Sequence, residues 1–139
     1  MNADEKTLDL ILRNARSYGD FEDRPVAEDL LRAAHDLMKW GPTTTNSQPM
    51  RVLYLRSQES REKLRPALSA TNAAKTMKAP LVAIVAYDTR FWEHLPRLFH
   101  NPDAINWYNK PPAAEIHGFR NGSLQGAYLI LALRAGGLA

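Results

Sequence analysis

The sequence predicts a domain in which helices cover a sheet, and two apolar stretches and one amphipathic pattern support this prediction. Residues 81–87 form an almost unbroken apolar run, which is typical of a strand buried on both faces of a sheet that helices cover. A second apolar stretch predicts another strand over about residues 51–56. Over residues 27–39 the apolar positions recur with the spacing of one helix face, at Leu30, Leu31, Ala34, Leu37 and Met38.

Further helical segments flank these elements. An apolar repeat at helical spacing predicts an N-terminal helix over about residues 5–16. After the first strand, Ser57 or Ser60 is the expected N-cap of another helix, and Pro66 leaves the end of that helix open. A short segment over residues 73–77 then leads into the second strand.

The stretch between the second strand and the C-terminal helix is predicted to be irregular. Residues 91–99 have a helical pattern that contains Pro96, so the helix there should be short or kinked. Residues 100–112 are rich in Asn and Pro and hold Trp107 and Tyr108. These two aromatic side chains belong either to a satellite core or to the lid of a pocket, and packing is the slightly favoured alternative.

The C-terminal segment predicts one long helix over residues 113–135, which ends at Gly136-Gly137. Glycines at intervals of four form a stripe on this helix that would let another backbone approach closely, at Gly118, Gly122 and Gly126. We expect a close helix pair, either within the protein or across a dimer. The alternative is a turn at Asn121-Gly122 that divides the helix, and one continuous helix is favoured.

Composition and charge exclude several classes of protein. A chain of 139 residues predicts a single domain over 1–139. Cysteine is absent and the four histidines show no metal-ligand spacing, so neither a disulfide nor a metal site is predicted. Without an apolar leader or a run of bilayer length, the prediction is a cytoplasmic protein with no membrane contact. The net charge of +3 comes from scattered Lys and Arg, which favours an anionic small molecule over nucleic acid.

The sequence lacks the motifs of a self-sufficient catalytic site. It has neither a Gly-x-Gly-x-x-Gly turn nor a Walker loop. It also lacks a convincing Ser-His-Asp constellation or adjacent carboxylate pair. No catalytic side chain is therefore predicted, and an enzyme built from this chain would need a cofactor for the difficult step.

The stretch from Trp40 to Pro49 is the strongest candidate for a binding segment. It places threonines, an asparagine and a glutamine between the helix of residues 27–39 and the strand of residues 51–56. A loop at the end of a rigid helix holds its polar groups in place and leaves its hydroxyls and amides free. The segment is longer than a plain connection requires, which indicates a binding role.

Three features, in their order along the chain, resemble the FMN-dependent nitroreductase family: Arg16-Ser17, the Trp40–Pro49 segment, and Asn72 eight residues before Pro80. Within that family, residues 37–43, 62–69 and 119–121 resemble the malonic semialdehyde reductases most closely. The resemblance implies an α+β, nitroreductase-like FMN-binding fold with a sheet covered by helices. It also implies an FMN-dependent NAD(P)H oxidoreductase that forms an intertwined homodimer with two FMN sites at the subunit interface.

The resemblance assigns roles to individual residues. Arg16 is expected to hold the FMN phosphate through paired charge-assisted bonds, and Ser17 to add a hydroxyl. Asn72 would bond the flavin ring from the same chain, and Lys75 would add positive charge near the flavin or the nicotinamide phosphates. The partner subunit would contribute Thr43, Thr44 and Asn46, with Gln48 bracing their loop.

The implied reaction is a ping-pong transfer of hydride. NADH or NADPH would reduce the flavin and leave, and a small electron-poor acceptor such as malonic semialdehyde, a quinone or a nitro compound would take its place. Trp107 and Tyr108 would line or cover the shared pocket. A transient donor needs orientation more than a dedicated dinucleotide fold, which is consistent with the missing Rossmann motif.

Family members continue beyond the position of Gly137-Leu138-Ala139. They add a Gly-Pro-Met-type segment, further strands and a late arginine, which meet the flavin edge, supply a second cation and complete the sheet. The expectation is therefore a fold that is incomplete at its C-terminus and has an exposed sheet edge. The alternative to an active reductase is a truncated, non-catalytic flavin-binding or dimerisation module.

Overall fold

Two antiparallel strands form the sheet of this fold. The computed structural model describes residues 2–138, so Met1 and Ala139, the outer ends of the predicted domain, lie outside the described residues. Within this range β1 (Met50–Leu55) pairs with β2 (Val82–Tyr87). The register sets the first residue of β1 opposite Tyr87 and the last opposite Val82.

Helices make up most of the remaining chain. The α-helices are α1 (Glu5–Leu8), α2 (Glu28–Met38), α3 (Gln58–Leu64), α4 (Ala70–Lys78), α5 (Leu95–Leu98), α6 (Ile105–Tyr108) and α7 (Ala113–Ala135). A π turn follows α1, and single 3-10 turns lie at Thr44–Asn46, Arg65–Ala67, Phe91–His94 and Pro102–Ala104. Between residues 2 and 138, no helix combines the length and apolarity needed to cross a membrane.

Most of the predicted elements are confirmed. The strands agree with the predictions for 51–56 and 81–87 to within one residue at each end, and α2 and α7 agree equally well. Ser57 is the N-cap of α3, since its side chain accepts from the Ser60 N–H at 3.1 Å. The segment around Pro96 is short, as expected, whereas the predicted segment 73–77 extends over all of α4.

The N-terminal helix ends earlier than the prediction of 5–16. Its regular part stops at Leu8, and a π turn over Asp9–Arg13 completes it. Arg16 lies just beyond the end, and its Nη1 donates to the carbonyl oxygens of Arg13 at 2.8 Å and Ala15 at 2.7 Å. These bonds satisfy carbonyl groups at the end of the helix, so the chain turns away without leaving them unpaired.

The main core lies between α2, α7 and β1. Ala34 and Met38 of α2 are buried against Leu129 and Ala132 of α7, together with Met50 at the start of β1. Ala34 and Met38 of the apolar face of α2 therefore pack against α7, whereas Leu37, which was predicted on the same face, is 59% exposed. This packing also places the segment that connects α2 to β1 directly beside α7.

A second, smaller cluster is formed by the turns after β2. Phe91 and Leu95 are fully buried in it, and Ala104 and Tyr108 complete it. The ring centroids of Phe91 and Tyr108 are 5.5 Å apart. Tyr108 therefore packs into this cluster, as the packing alternative predicts, and its role in lining a substrate pocket stays a prediction.

β2 is not buried on both faces, so that prediction is wrong. None of its residues is fully buried, and Ala83, Val85 and Ala86 are exposed. Among the described residues the sheet has two strands, which makes β2 an edge strand. An unbroken apolar run shows that the side chains are apolar, but it does not determine how many neighbours cover them.

The glycine stripe of α7 faces β2 rather than another helix. A Cβ atom at Gly122 would lie 2.8 Å from the Tyr87 Cβ, and one at Gly118 would lie 2.9 Å from the Tyr87 ring. The expected helix pair at this stripe is therefore wrong, because the small residues let α7 approach a strand of its own chain. The alternative turn at Asn121-Gly122 is wrong as well, since α7 continues through it.

Gly122→Ala is expected to lower the free energy of unfolding by about 1–3 kcal/mol, the usual cost of overpacking. The added methyl group would meet the Tyr87 Cβ, which belongs to a paired strand and cannot rotate away. Denaturant unfolding measures the loss. Gly19→Ala is the matched control, because a Cβ at Gly19 meets nothing within 4 Å, and it should stay within about 0.5 kcal/mol of the wild type. Equal losses in the two variants would contradict the close approach.

Candidate functional site

The loop over residues 41–49 is held against α7 by polar side chains of that helix. Three bonds join them: Asn121 Oδ1 accepts from the Thr44 N–H at 2.8 Å, Gln125 Nε2 donates to Gln48 Oε1 at 2.5 Å, and the Tyr128 hydroxyl donates to the Pro42 carbonyl at 3.0 Å. Gln125 Oε1 also accepts from the N–H of Met50, the first residue of β1, at 3.0 Å. The three side chains follow one another on a single face of the helix. Because α7 is continuous and packed against α2, it forms a rigid support for the loop.

Side-chain bonds also fix two of the predicted site residues inside the loop. Gln48 Nε2 donates to Asn46 Oδ1 at 2.9 Å, and Asn46 Nδ2 donates to the Leu98 carbonyl at 3.0 Å. The Gln48 backbone N–H donates to the Thr43 hydroxyl at 3.3 Å. Thr44 and Asn46 are exposed, and the Thr44 hydroxyl has no hydrogen bond within residues 2–138. The loop therefore presents a hydroxyl and an amide from a braced backbone.

Three non-glycine residues of this loop have left-handed backbone conformations. The φ angles are 51° at Thr45, 51° at Asn46 and 45° at Gln48. Such a conformation costs roughly 1–2 kcal/mol per residue and is least suited to the β-branched Thr45. Backbone strain of this kind persists only where the surroundings enforce it, and it is concentrated at binding and catalytic sites. The bonds to α7 supply that enforcement here.

A cavity of about 740 Å³ contains Arg16 and Ser17 in its wall. The segment over residues 15–26 forms one side of it, and the last turns of α7 and residues 79–83 form the others. Tyr54 also faces the cavity, and burial raises the pKa of its phenol. A volume of this size is typical of pockets for small organic ligands.

The Arg16 guanidinium in this wall has no carboxylate partner among the described residues. Its Nη1 donates to two backbone carbonyls, and no carboxylate between residues 2 and 138 forms an ion pair with it. Arg24 in the same wall pairs with Glu22 at 3.4 Å. Arg134 also has no ion pair within residues 2–138, but its Nε and Nη2 both donate to the carbonyl of Leu10. Arg16 therefore keeps the donors on Nε and Nη2 for an anion such as a phosphate.

The helix that carries the predicted residues Asn72 and Lys75 is joined to the same segment at its last turn. Lys78 Nζ and Asp20 Oδ1 form an ion pair at 2.6 Å, which joins the last turn of α4 to the wall of the cavity. Lys75 and Asn72 lie about one and two turns before Lys78 on this helix. Neither Asn72 nor Lys75 lines the cavity, and their roles at a flavin stay predictions.

The two groups of predicted site residues lie at opposite ends of the sheet. The 41–49 loop precedes Met50, the first residue of β1, whereas the cavity is lined by Tyr54 near the other end of that strand. A strand of this length separates its ends by roughly 17 Å. Within one chain the structure therefore does not bring Thr43, Thr44, Asn46 and Gln48 together with Arg16, Ser17, Asn72 and Lys75.

Trp107 has a different environment from Tyr108. Its side chain is half exposed, and its ring contacts Phe99 edge-on with the centroids 6.2 Å apart. Phe99 follows Leu98, whose carbonyl accepts the bond from Asn46. Trp107 therefore contacts the neighbour of the residue that binds Asn46 of the loop. Its role in lining a pocket stays a prediction.

Sequence reasoning did not identify the side chains of α7 that hold the loop. In the sequence, Asn121 belongs to an alternative turn and to the stretch 119–121 that carries the resemblance, but neither feature predicts a site role for Asn121, Gln125 or Tyr128. All three are polar residues on a largely apolar helix, at the i, i+4 and i+7 positions of one face. Asn121 and Gln125 are 4% and 3% exposed, and such buried amides need partners. Three polar residues on one face of an apolar helix predict a polar partner for that face. They do not indicate which segment of the chain is the partner.

With this geometry in place, comparison with known proteins identifies the class of protein. The sequence matches the Nitroreductase family over residues 12–139. The chain belongs to this family.

A protein of Cupriavidus pinatubonensis named "Putative NADH dehydrogenase/NAD(P)H nitroreductase" is 53% identical over 135 residues, which cover 94% of this chain and 69% of the relative. The fold is similar to that of an Exiguobacterium sibiricum protein solved in complex with FMN, with a TM-score of 0.82 and 20% identity over 99% of this chain and 73% of the other. It is also similar to a gut-bacterial enone reductase of fatty acid saturation, with a TM-score of 0.79 and 18% identity over 96% and 72% of the two chains. The nitroreductase-like fold predicted from the sequence is confirmed.

Proposed function

We propose that this protein is an FMN-dependent NAD(P)H oxidoreductase that reduces a small electron-poor acceptor. The observation that carries the proposal is the 41–49 loop, in which a strained backbone and buried amides of α7 hold exposed polar groups in one arrangement. Holding three left-handed residues in a surface connector would be a cost without a benefit unless the loop binds something. The family membership and the FMN-bound structural relative support a flavin as that ligand.

The residues present fit both ends of FMN. Arg16 offers an uncompensated guanidinium and Ser17 a hydroxyl beside a cavity of suitable volume, which suits a phosphate. Thr43, Thr44 and Asn46 offer hydroxyls and an amide, which suit the heteroatoms of the ring. Asn72 would add an amide to the ring from the side of Arg16, and Lys75 would add positive charge.

We further propose that the site is completed across a homodimer. The residues proposed to bind the FMN phosphate and those proposed to bind the FMN ring lie at opposite ends of one sheet. A second copy of the chain is therefore the simplest source of the residues that complete each FMN site. The outer face of α7 supports a contact between copies, because Phe119 and Ile130 are 59% and 61% exposed. Apolar side chains of this size on the outside of a long helix favour a partner.

The chemistry would come from the cofactor and the geometry from the chain. When bound, FMN would accept a hydride from NADH or NADPH and pass it to the next occupant of the pocket, in a ping-pong sequence. The 41–49 loop would hold the ring in place, and Arg16 would fix the phosphate so that the ring cannot slide. We propose malonic semialdehyde, a quinone or a nitro compound as acceptors, and Trp107 as a wall of the acceptor pocket.

Absorbance spectra test this function directly. The protein is incubated with FMN, freed of unbound FMN and titrated anaerobically with NADH or NADPH. We expect about one flavin per chain and loss of the yellow absorbance with about one equivalent of donor, followed by its return when an acceptor is added. A folded dimer that takes up no FMN would contradict the proposal. A protein that binds FMN but is not bleached by either donor would instead be the non-catalytic flavin-binding module.

A further inference from the structure

Gln125 connects the core of the protein to the exposed face of the 41–49 loop. It lies on α7 and is nearly fully buried, yet it makes no bond to another residue of its own helix through its side chain. Its Oε1 accepts from the Met50 N–H at 3.0 Å and its Nε2 donates to Gln48 Oε1 at 2.5 Å. Both groups of this buried amide are therefore used by the loop and its junction with β1.

From Gln48 onward, further hydrogen bonds between side-chain amides follow, and all of them have the same donor-to-acceptor direction along the series. Gln48 Nε2 donates to Asn46 Oδ1, and Asn46 Nδ2 donates to the Leu98 carbonyl. We call these four bonds, from the Met50 N–H through Gln125, Gln48 and Asn46 to the Leu98 carbonyl, the amide relay. In each amide the oxygen faces the preceding member and the nitrogen faces the following one.

The direction of the relay is fixed at both of its ends. The Met50 N–H can only donate, so Gln125 must turn its oxygen toward β1 and its nitrogen toward Gln48. The Leu98 carbonyl can only accept, so Asn46 must turn its nitrogen toward it. Every amide between these two backbone groups then has one orientation that satisfies its neighbours. Successive bonds of this kind also polarise and strengthen one another.

Asn46 is the exposed member of the relay, and its orientation determines what the loop offers to a ligand. One hydrogen of Nδ2 is used by Leu98, and the second has no acceptor within residues 2–138. The left-handed backbone at Asn46 and Gln48 holds the two amides in reach of each other. The loop thus presents an N–H donor whose direction is set by a buried residue 79 positions away along the chain.

We propose that Gln125 is a positioning residue, which acts through Gln48 to hold the Asn46 amide as a hydrogen-bond donor toward an acceptor atom of the bound flavin ring. This inference rests on the proposed function for the identity of the ligand. Gln125 does not touch the flavin in this proposal. Its role is to exclude the flipped orientation of Asn46, in which an oxygen would face the acceptor atom and repel it.

Gln125→Glu is the sharpest test, because it keeps the size of the side chain and the acceptor for the Met50 N–H. The measurement is made at alkaline pH, because burial raises the pKa of a carboxyl group and the neutral acid could still donate to Gln48. The ionised carboxylate cannot donate to Gln48, so Gln48 must flip, and Asn46 then meets either Gln48 or Leu98 with the wrong group. We expect FMN affinity to fall about tenfold, the effect of one lost hydrogen bond to the ligand. Gln58→Glu is the matched control, since Gln58 is exposed at the start of α3, and it should bind FMN like the wild type.

The side-chain amide signals in the ¹⁵N NMR spectrum of the FMN-free protein provide a second readout. The Asn46 signals should shift in Gln125→Glu, and also in Gln125→Met, which serves if the carboxylate impairs folding. They should not shift in Tyr128→Phe, which removes a different bond between α7 and the loop. This comparison separates a directed relay from general anchoring of the loop.

Two results would overturn the relay. One is an Asn46 signal that does not change in the Gln125 variants, and the other is a loss of FMN affinity in Tyr128→Phe as large as in Gln125→Glu. The proposed function fails by a different observation, namely a folded wild-type protein that takes up no FMN. If the wild type binds FMN and the Asn46 amide signals do not change in the Gln125 variants, the relay is refuted and the proposed function is not.

Discussion

Arg16→Ala is expected to weaken FMN binding by about 100-fold and to leave riboflavin binding within about threefold of the wild type. The two ligands share the ring and differ in the phosphate, so the difference between the two losses isolates the phosphate contact. Charge-assisted bonds to a guanidinium contribute about 1.5–3 kcal/mol each, which gives a loss of this size. Quenching of flavin fluorescence on titration with protein measures both dissociation constants.

Two further variants control this experiment. Arg24→Ala removes another arginine from the same cavity wall, but one that is paired with Glu22 and exposed, so FMN binding should change little. Arg16→Lys keeps the positive charge and loses the planar pair of donors, so an intermediate loss is expected. If Arg16→Ala weakened riboflavin as much as FMN, the residue would not bind the phosphate.

A mixture of Arg16→Ala and Asn46→Ala subunits is expected to recover about a quarter of the wild-type NADH oxidation, although each variant alone is nearly inactive at limiting FMN. A site that takes Arg16 from one chain and Asn46 from the other is intact once in every mixed dimer. Random mixing makes about half of the dimers mixed, and half of their sites are intact. The variants are unfolded together, refolded together and assayed with NADH and an acceptor.

The control for this mixture uses two variants from the same half of the site. Arg16→Ala and Asn72→Ala are both assigned to one chain, so every site in a mixed dimer carries one of the two defects. This pair should recover no activity. Recovery by both pairs, or by neither, would contradict a site that is divided between chains as proposed.

Local patterns in the sequence were sufficient to predict the helices and strands that hold the candidate site. Apolar residues recur with a local pattern in α2, in the long C-terminal helix and in the two apolar runs. The ends of these four elements in the structure agree with the predicted ends to within one residue. The motif from Trp40 to Pro49, together with Arg16-Ser17 and Asn72, was sufficient for the family. These features depend on residues that are close in sequence, which is why the sequence alone contained them.

Three features depended on contacts between distant residues. The glycine stripe of α7 indicated a close approach, but only the packed chain showed that its partner is Tyr87 on β2. The apolar run of β2 indicated a strand, but its exposure follows from the number of neighbouring strands. The backbone of the 41–49 loop is likewise held by distant residues, on α7 and at Leu98.

The residues that offer polar groups to a ligand could therefore be chosen from the sequence, whereas their arrangement could not. Asn46 and Gln48 are polar residues in a loop wherever they occur, and Gln125 is an ordinary residue of a helix. Their joint direction arises because packing of α2 against α7 brings residues more than 70 positions apart within hydrogen-bond distance. A hydrogen bond needs that proximity and angle, and no local pattern in the sequence encodes either for so distant a pair.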